Sequence, residues 1–368
     1  MNNIMNWLSV VEDCRQAKKV KHIMGDIIAI VFFASLANAN EWIEMQYFAQ
    51  TNEKFLRKYL ELPNGIPSHD TIQRVFAMVS PDYLQEFKKR WNEVMTSNAG
   101  NKIKKILALD GKTQCGNDTP NQKANHIVSA VDDDGFCLGE ALVDDKSNEI
   151  TAIPKLLEAI SIKGHIVTTD AMGCQTEIVK LIRKKRADYV LALKGNQGTL
   201  HKDVILYFND AALLKGCAYK KVVEKAHGGV IEREYWQTDD ISWLSRKKDW
   251  AGLTSIAMTK NTFTKNGITT VENRYFISSL PPSIDDIARA IRGHWMVESY
   301  HWHLDVTFRE DANRTIDKDA AFNLNIIKKV ALNVLKFIDL GFKGISIKNK
   351  RLVIGWDFEK YFETIMAF

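Results

Sequence analysis

The sequence predicts an α/β fold: a mixed sheet flanked by helices, preceded by a helical module and interrupted by a β-rich insertion. Three observations carry this reading. Before residue 100, apolar residues recur every three or four positions, with breaks at Pro63-Asn64-Gly65 and Ser80-Pro81; that is the period of amphipathic helices. After residue 100, short alternating or wholly apolar runs appear, first back to back and then separated by helical stretches. Antiparallel strands followed by strand–helix–strand units make a mixed sheet. Between about 201 and 280, four further β-like runs follow one another with turn residues between them. The expected organisation is a helical domain over 1–100 and an α/β domain over 101–368 that holds the insertion.

Composition narrows the function classes without choosing one. The 368 residues exceed one domain of roughly 150, and 45% hydrophobic with 26% charged residues exclude wholesale disorder. Fifty Lys and Arg stand against 45 Asp and Glu, and the resulting net charge of +5 is too mild to announce a nucleic-acid binder. The five cysteines (Cys14, Cys115, Cys137, Cys174, Cys217) are scattered and odd in number. They suggest neither a disulfide framework nor a zinc knuckle, and they fit a reducing cytoplasm. The most apolar stretch, Ile27 to Ala37, has 11 residues, where a membrane span needs about 20. Lys18, Lys19 and Lys21 imitate the start of a secretory signal, but Gly25-Asp26 interrupts it; a buried helix capped by Asp26 is the preferred reading.

Along the chain, Ser68 is a natural N-cap for HDTIQRVFAMV, in which Ile72, Val75, Phe76 and Val79 form one buried stripe and Arg74 points elsewhere. Such a helix after a tight turn either reads DNA or serves as scaffold. The basic run Lys102–Lys105 precedes the strand ILALDGKT. HIVSAVDDDGFCLGEALVDD then reads as a hairpin turning at DDDG. A helix at about Ala152–Ile160, a buried strand HIVTTDAM, a helix at about Gln175–Arg186 and a buried strand DYVLALKG follow. The insertion carries YKKVVEKA, VIEREYWQT, LTSIAMTKN and ITTVENRYFISSL, and the chain closes on the amphipathic helix AFNLNIIKKVALNVLKFI.

Asp110 and Asp170 each stand at the expected end of a buried strand, where α/β sheets gather functional groups. Two carboxylates brought together repel unless they share a proton or a cation. Either residue alone is equally a turn former, in Asp-Gly and in Asp-Ala-Met-Gly. If Ile291–Asp311 is helical, His294, Glu298, His301 and Asp305 fall in one polar sector, and Ile291, Trp295, Trp302 and Val306 in a neighbouring buried one. Glu298 then sits at the margin of the core, able to lean over the sheet; the alternative is a solvated face with His–acid pairs. A zinc site of His294, Glu298 and His301 is disfavoured, since no cysteine is near and His301 and His303 lie about 200° apart. Carboxylate oxygens suit magnesium or manganese. A pair of such ions, about 3.5–4 Å apart, clamps an in-line displacement at phosphorus.

Four motifs in order, ALDGKT around Asp110, TTDAMGCQ around Asp170, YVLALKGNQ at Tyr189–Gln197 and HWMVESYHWHLDVTFRED around Glu298, resemble those of DDE transposases of bacterial insertion sequences, specifically the H-repeat-associated group. The helical stretch before Lys102 resembles the group's associated N-terminal domain, so the likeness covers nearly the whole chain. It implies a ribonuclease H-like core with the insertion between the last core strand and the Glu-bearing helix. Sixty residues separate Asp110 from Asp170 and 128 separate Asp170 from Glu298, which leaves room for it. The resemblance further implies that Asp110, Asp170 and Glu298 are the catalytic, metal-binding triad, holding two Mg2+ or Mn2+ ions. It implies cleavage of DNA at insertion-sequence ends by water, attack of the freed 3′-hydroxyl on target DNA, and a cytoplasmic, nucleoid-associated homodimer holding two ends.

The chain departs from the wider superfamily, which places Tyr, Arg and Lys seven before, four before and seven after its Glu; here those positions are Ile291, His294 and Asp305. The superfamily's contacts to the transposon end are thereby left unassigned, with His294 and Asp305 as candidate supports of the metal site. Candidate DNA contacts are Lys194, Arg183, Lys184, Lys185, Arg186, Arg74 and Arg233. RKKR at 183–186 also suits the C-terminal end of a helix dipole. Trp295 could stack on an unpaired base, but the stripe it shares with Trp302 favours burial. Lys220, Lys221, Lys225, His227 and Arg233, set among Tyr219, Tyr235 and Trp236, suit a DNA backbone or simple packing. The rivals to an enzyme are a domesticated DNA-binding protein that has lost cleavage and a partner-binding module; retention of all three acids favours the enzyme.

Overall fold

The computed structural model describes residues 20–96, 105–144, 147–226 and 228–367, with positions 13, 15, 16 and 18. Cys14, Lys19, residues 102–104 of the basic run, and His227 lie outside the described residues. The first helices are α1 (Met24–Leu36), α2 (Trp42–Thr51), α3 (His69–Phe76) and α4 (Pro81–Thr96). The apolar stretch from Ile27 does form a buried helix, every residue of α1 being buried. Asp26 does not cap it. The helix begins two residues earlier with no side-chain cap, and the Asp26 carboxylate accepts the N–H of Leu62 at 2.9 Å. Leu62 has a left-handed backbone (φ 44°), so this bond fixes an unfavourable turn. Ser68 caps α3 as expected, accepting from the Thr71 N–H, and Ile72, Val75, Phe76 and Val79 are buried while Arg74 is exposed.

The strands form one nine-stranded sheet in the order β3-β2-β1-β4-β5-β9-β8-β7-β6. The expected hairpin is β2 (His126–Asp132) and β3 (Cys137–Leu142), antiparallel to each other. Its turn uses Gly135 at φ 80°, a conformation only glycine adopts without cost. β1 (Ile106–Thr113) pairs antiparallel with β2 and parallel with β4 (Ile166–Thr169), which is parallel to β5 (Asp188–Leu193). Helices α5 (Glu149–Ala159) and α6 (Thr176–Lys184) cover one face, burying Ile153, Leu157, Ile178 and Ile182 against Leu107, Leu109, Val167 and Leu191.

The insertion differs from expectation in one respect. Its first part is helical: α7 (Gly198–Asn209) buries Leu200, Val204, Tyr207 and Phe208, a helical spacing, and a short turn Ala211–Lys215 follows. Strands start only with β6 (Ala218–Ala226), followed by β7 (Gly229–Thr238), β8 (Ser255–Lys265) and β9 (Ile268–Ser278). These four are not a separate layer. They form an antiparallel meander whose last member, β9, pairs with β5 and so extends the central sheet.

Helices α8 (Ile284–Gly293) and α9 (Trp295–Trp302) cover the second face. The chain then passes through a wide turn (His303–Thr307) to α10 (Lys318–Phe337), α11 (Ile347–Trp356) and α12 (Phe358–Met366). The expected amphipathic helix α10 has no solvated face over most of its length: Ala320 to Leu335 are all buried, including Asn323, Asn325, Lys328, Lys329 and Asn333. It sits in one apolar core with α1, α3, α4, α12 and the outer strands. No helix among the described residues is long and apolar enough to cross a membrane.

Buried charge knits the helical module to the sheet. Lys88 of α4 pairs with Glu140 of β3, and Lys329 of α10 reaches the same carboxylate at 3.3 Å while donating to Ser129 Oγ at 2.8 Å. All three charged groups are essentially inaccessible. Burial opposes ionisation of Glu140, but the two ammonium groups outweigh it and bring its pKa down to about 2. On the far side, the buried Arg351 of α11 donates to the carbonyls of Ser35, Ala39 and Thr307 and to Asn40 Oδ1, with its guanidinium 4.0 Å from the Phe308 ring centre.

Replacing Glu140 by Leu strands two buried ammonium groups and should lower the unfolding free energy measured in urea by about 3–5 kcal/mol. Glu359→Ala, which breaks an exposed pair with Lys58, should leave the urea midpoint essentially unchanged. Because the folded pKa of Glu140 lies below its ordinary value of 4.5, its contribution is complete above that value and is lost as pH falls toward 2. The gap between parent and Glu140→Leu should therefore close over that window; equal midpoints at neutral pH would disprove the clamp.

Candidate active site

The site follows from side-chain alternation in four adjacent strands. In a strand, every second residue faces the same way. Ile166 of β4, Val190 of β5 and Phe276 of β9 pack beneath Ile287, Ala290 and Ile291 of α8. Ile106 of β1 lies against Gly293, where an added Cβ would come within 2.5 Å of its Cδ1; only glycine lets the end of α8 approach so closely. Two or four residues further along the same faces stand Asp110, Asp170, Lys194 and Arg274. The register Leu109↔Thr169 makes Asp110 and Asp170 the next pair across two parallel strands.

Asp110 does not end its strand: β1 runs on to Thr113 paired with β2 alone, and Asp110 is where it loses its parallel partner. Asp170 does follow the end of β4 and also starts the turn, its Oδ1 accepting the N–H groups of Met172 (2.9 Å) and Gly173 (3.3 Å). The turn-forming role is therefore present, at the end of a buried strand. Burial raises its pKa, the turn's N–H groups oppose this, and Glu149 and Asp110 add to the rise. Glu298 projects from α9 into the same cavity of about 460 Å³, which Asp110, Asp170, Lys194, Arg274, His294 and Trp295 also line. Burial and then the Asp110 charge raise its pKa, with Arg274 opposing.

The segment 291–311 is not one continuous helix. It breaks between Gly293 and His294, and His303–Thr307 widens to a π turn closed by the Phe308 N–H on the His303 carbonyl. α8 packs on β4, β5 and β9, whereas α9 packs in the core that holds α10. The buried stripe is consequently Val297, Tyr300 and Leu304, while Trp295, Trp302 and Val306, expected to be buried, are 38%, 55% and 53% exposed. Trp295 instead forms a wall of the cavity. His294 lies at the break with its Nδ1 3.0 Å from Thr168 Oγ1, and burial lowers its pKa against the pull of Asp110 and Asp170. His301 is buried with Nδ1 3.5 Å from Asp110 Oδ2, and its Nε2 has no partner among the described residues. Asp305 pairs with Lys112 at 2.7 Å, beside Glu310 and Asp311, and does not line the cavity.

The expected DNA contacts separate by environment. Lys194 is exposed at the C-terminal end of β5 and lines the cavity; Arg74, Lys184 and Arg186 are exposed elsewhere. Arg183 and Lys185 are engaged within the fold. Arg183 pairs with Asp188, and Lys185 donates to the carbonyls of Leu157, Glu158 and Ile160 at the end of α5. The RKKR run precedes β5, so it lies across the six residues of that strand from Lys194, a strand length of about 20 Å. In the insertion, Arg233, Lys220 and Lys221 pair with Glu224, Asp285 and Glu232, and Tyr235 is buried, so packing accounts for them. Residue-level inspection missed Arg274 and His201, both lining the cavity. Arg274 comes from a strand recognised as β, but only the pairing of β9 with β5 brings it here.

The donor chemistry of the cavity suits a hard divalent cation. It holds four carboxylates: Glu272 pairs with Arg274, and of the other three Asp170 and Glu298 are raised by burial and further by the charge of Asp110, a repulsion that a cation relieves. Among the described residues no three His, Cys, Asp or Glu side chains stand close enough together, as placed here, to hold a metal ion.

A family model described as "Transposase DDE domain" matches residues 101–334, and one described as "DDE_Tnp_1-associated" matches residues 5–92. The chain is 36% identical to "Putative transposase YncI" of Escherichia coli O157:H7, over 100% of this chain and 95% of that protein. It is 34% identical to "H repeat-associated putative transposase YhhI" of Escherichia coli K12, over 91% of this chain and 90% of that protein. "Inactive transposase YbfQ" of the same strain is 39% identical over 75 residues, 20% of this chain and 89% of that protein. The mixed sheet flanked by helices accords with the ribonuclease H-like fold of such enzymes.

Asp110→Asn leaves the burial that chiefly raises Asp170 and Glu298 but removes the charge that adds to it in both. Raised carboxylate pKa values mean that the fold resists ionisation, a cost that grows as pH rises from about 4 to 7. In EDTA the variant should therefore melt above the parent at pH 7, with the difference vanishing below about pH 4. Side-chain 13C titration should show both remaining acids shifted down; unshifted values would mean that the three charges are not coupled.

Proposed function

This chain belongs to the DDE transposase family, and on that premise we propose that it cuts DNA at the ends of an insertion sequence and joins the freed strand to a target. The observation that supports this most is the convergence of Asp110, Asp170 and Glu298, far apart in sequence, on one cavity. Asp110, Asp170 and Glu298 would hold Mg2+ or Mn2+, in the two-ion form common to phosphoryl-transfer sites, which activates an attacking oxygen and stabilises the leaving one. In the first step water attacks phosphorus and the bond to the 3′ oxygen breaks; in the second, that 3′-hydroxyl attacks a target phosphodiester and displaces its 3′ oxygen. No covalent bond to the protein forms.

The protein's own contribution is positioning. The turn N–H groups fix one oxygen of Asp170, leaving the other for the cavity. The Thr168–His294 hydrogen bond pins the break between α8 and α9 over the strand ends, and so sets the reach of Glu298, four residues on. His301 flanks Asp110 and orients it. Asp305 acts at one remove, through Lys112. Lys194 steadies a phosphate at the cavity edge, and Arg74, Lys184 and Arg186 meet flanking DNA. Residues 1–100 serve as a DNA-associated helical domain and 101–368 as the catalytic domain, two copies acting on two ends in the cytoplasm.

The test uses DNA carrying the inverted repeats that flank the coding sequence. With Mg2+ or Mn2+ the protein should nick at the repeat boundary. Asp110→Asn, Asp170→Asn and Glu298→Gln should each slow nicking on the order of a thousandfold or more, with repeat binding within a few-fold of the parent. Binding without nicking by the parent would overturn the enzymatic reading in favour of a DNA-binding protein.

A further inference from the structure

We infer that Arg274, with Lys194, forms the seat for a phosphate of the DNA strand passing through the cavity, so that the insertion supplies a substrate-binding residue; this rests on the reading of the substrate as DNA. The register carries it. β9 pairs antiparallel with β5 through Leu193↔Tyr275, so the next pair is Lys194 and Arg274, two cations on neighbouring strands that line the same cavity. Like charges set opposite one another across strands repel, and an anion between them removes the repulsion. In sheet order β1-β4-β5-β9, the cavity floor therefore runs Asp110, Asp170, Lys194, Arg274, two acids and then two bases, with Glu272 beside Arg274 on the outermost strand. With strands about 4.8 Å apart, the two cations stand roughly 5–10 Å from Asp170. The phosphate they hold is next to the one under attack rather than the attacked group itself.

Arg274 is prepared for this rather than consumed by packing. Its Nε donates to Glu272 Oε1 at 2.9 Å, and its guanidinium lies 5.3 Å from the Trp295 ring centre, with Arg292 at 5.8 Å from the same ring. Glu272 takes one of five N–H donors, which leaves four for a ligand. The Glu272–Arg274 pair is itself well exposed, at 57% and 37%, so it adds little stability. Stacking on Trp295 fixes the plane of the guanidinium, and a fixed plane is what two-pronged recognition of phosphate requires.

The experiment measures binding of a fluorescent repeat-end duplex with a 3′ overhang, in Ca2+, over a series of salt concentrations. The proteins are the parent, Arg274→Ala, Arg274→Lys, Lys194→Ala and, as a remote control on the opposite face of the sheet, Lys155→Ala. Arg274→Ala and Lys194→Ala should each weaken binding on the order of tenfold and reduce the slope of log affinity against log salt by about one. Arg274→Lys should keep the slope, since the charge remains, but lose affinity with the fork geometry. Lys155→Ala should match the parent, and all variants should melt with it. An Arg274→Ala protein that binds with the parental slope and affinity, while the parent binds and cuts, overturns the phosphate seat alone. A parent that does not bind the duplex overturns the DNA reading and the seat together.

Discussion

The cavity depends on the two-residue period of β1, β4, β5 and β9 beneath one helix. Each of these strands places an apolar residue against α8 and, further along the same face, a charged residue at the cavity. Slipping any strand by one residue would send its charged side chain to the face covered by α5 and α6 and bring a core residue out. Packing at the apolar end thus holds the chemistry at the polar end. A charged group placed by backbone register has little freedom to wander, which is the precondition for acting on a substrate at ångström tolerance.

A site built this way works against its own stability. Burial, with the charge of Asp110 added, raises the carboxyl pKa of Asp170 and Glu298, so their ionised forms are held at a cost. The compensation lies elsewhere. α10 is buried on all sides, its polar residues spent on Glu140, Glu310, Phe308 and the carbonyls that end α3. Arg351 ties the end of α1 to the Thr307 carbonyl just beyond the Glu298 helix. Buried ion pairs seldom add much net stability, but removing one partner is severe. At these seams they fix how the N-terminal helices seat on the sheet, and through Thr307 they also restrain the helix that carries Glu298.

Local pattern made much of this legible. The hairpin at DDDG, the buried strands ending near Asp110 and Asp170, the capped helix at Ser68 and the four β-like runs of the insertion all follow from periodicity and turn chemistry, and all are present. The failures arise where one residue pair far away decides. A 100° step carried through Gly293-His294 puts Trp295 and Trp302 in the core, but α8 and α9 bury their faces in different clusters, the first against β4, β5 and β9 and the second against α10. Lys185 looks free in sequence because the carbonyls at the end of α5 that bind it lie 25 to 28 residues earlier. Arg233 looks free because Glu224 meets it only across β6 and β7. Long charged side chains have no period, so their partners are set by tertiary pairing alone.

The same distinction explains why an insertion can belong to the site. A chain that leaves the end of β5 and must come back to α8 needs a return segment, and hydrogen-bonding that segment to the open edge of β5 satisfies backbone groups that would otherwise be exposed. Once β9 pairs there, alternation commits its residues to the two faces: Phe276 goes under α8, and Arg274, two positions earlier on the antiparallel course, comes level with Lys194. The position of the cation is therefore a consequence of closing the sheet edge, and the length of β6 to β8 can vary without moving it. The acids come from the core strands, and the opposing charge comes from the strand that returns.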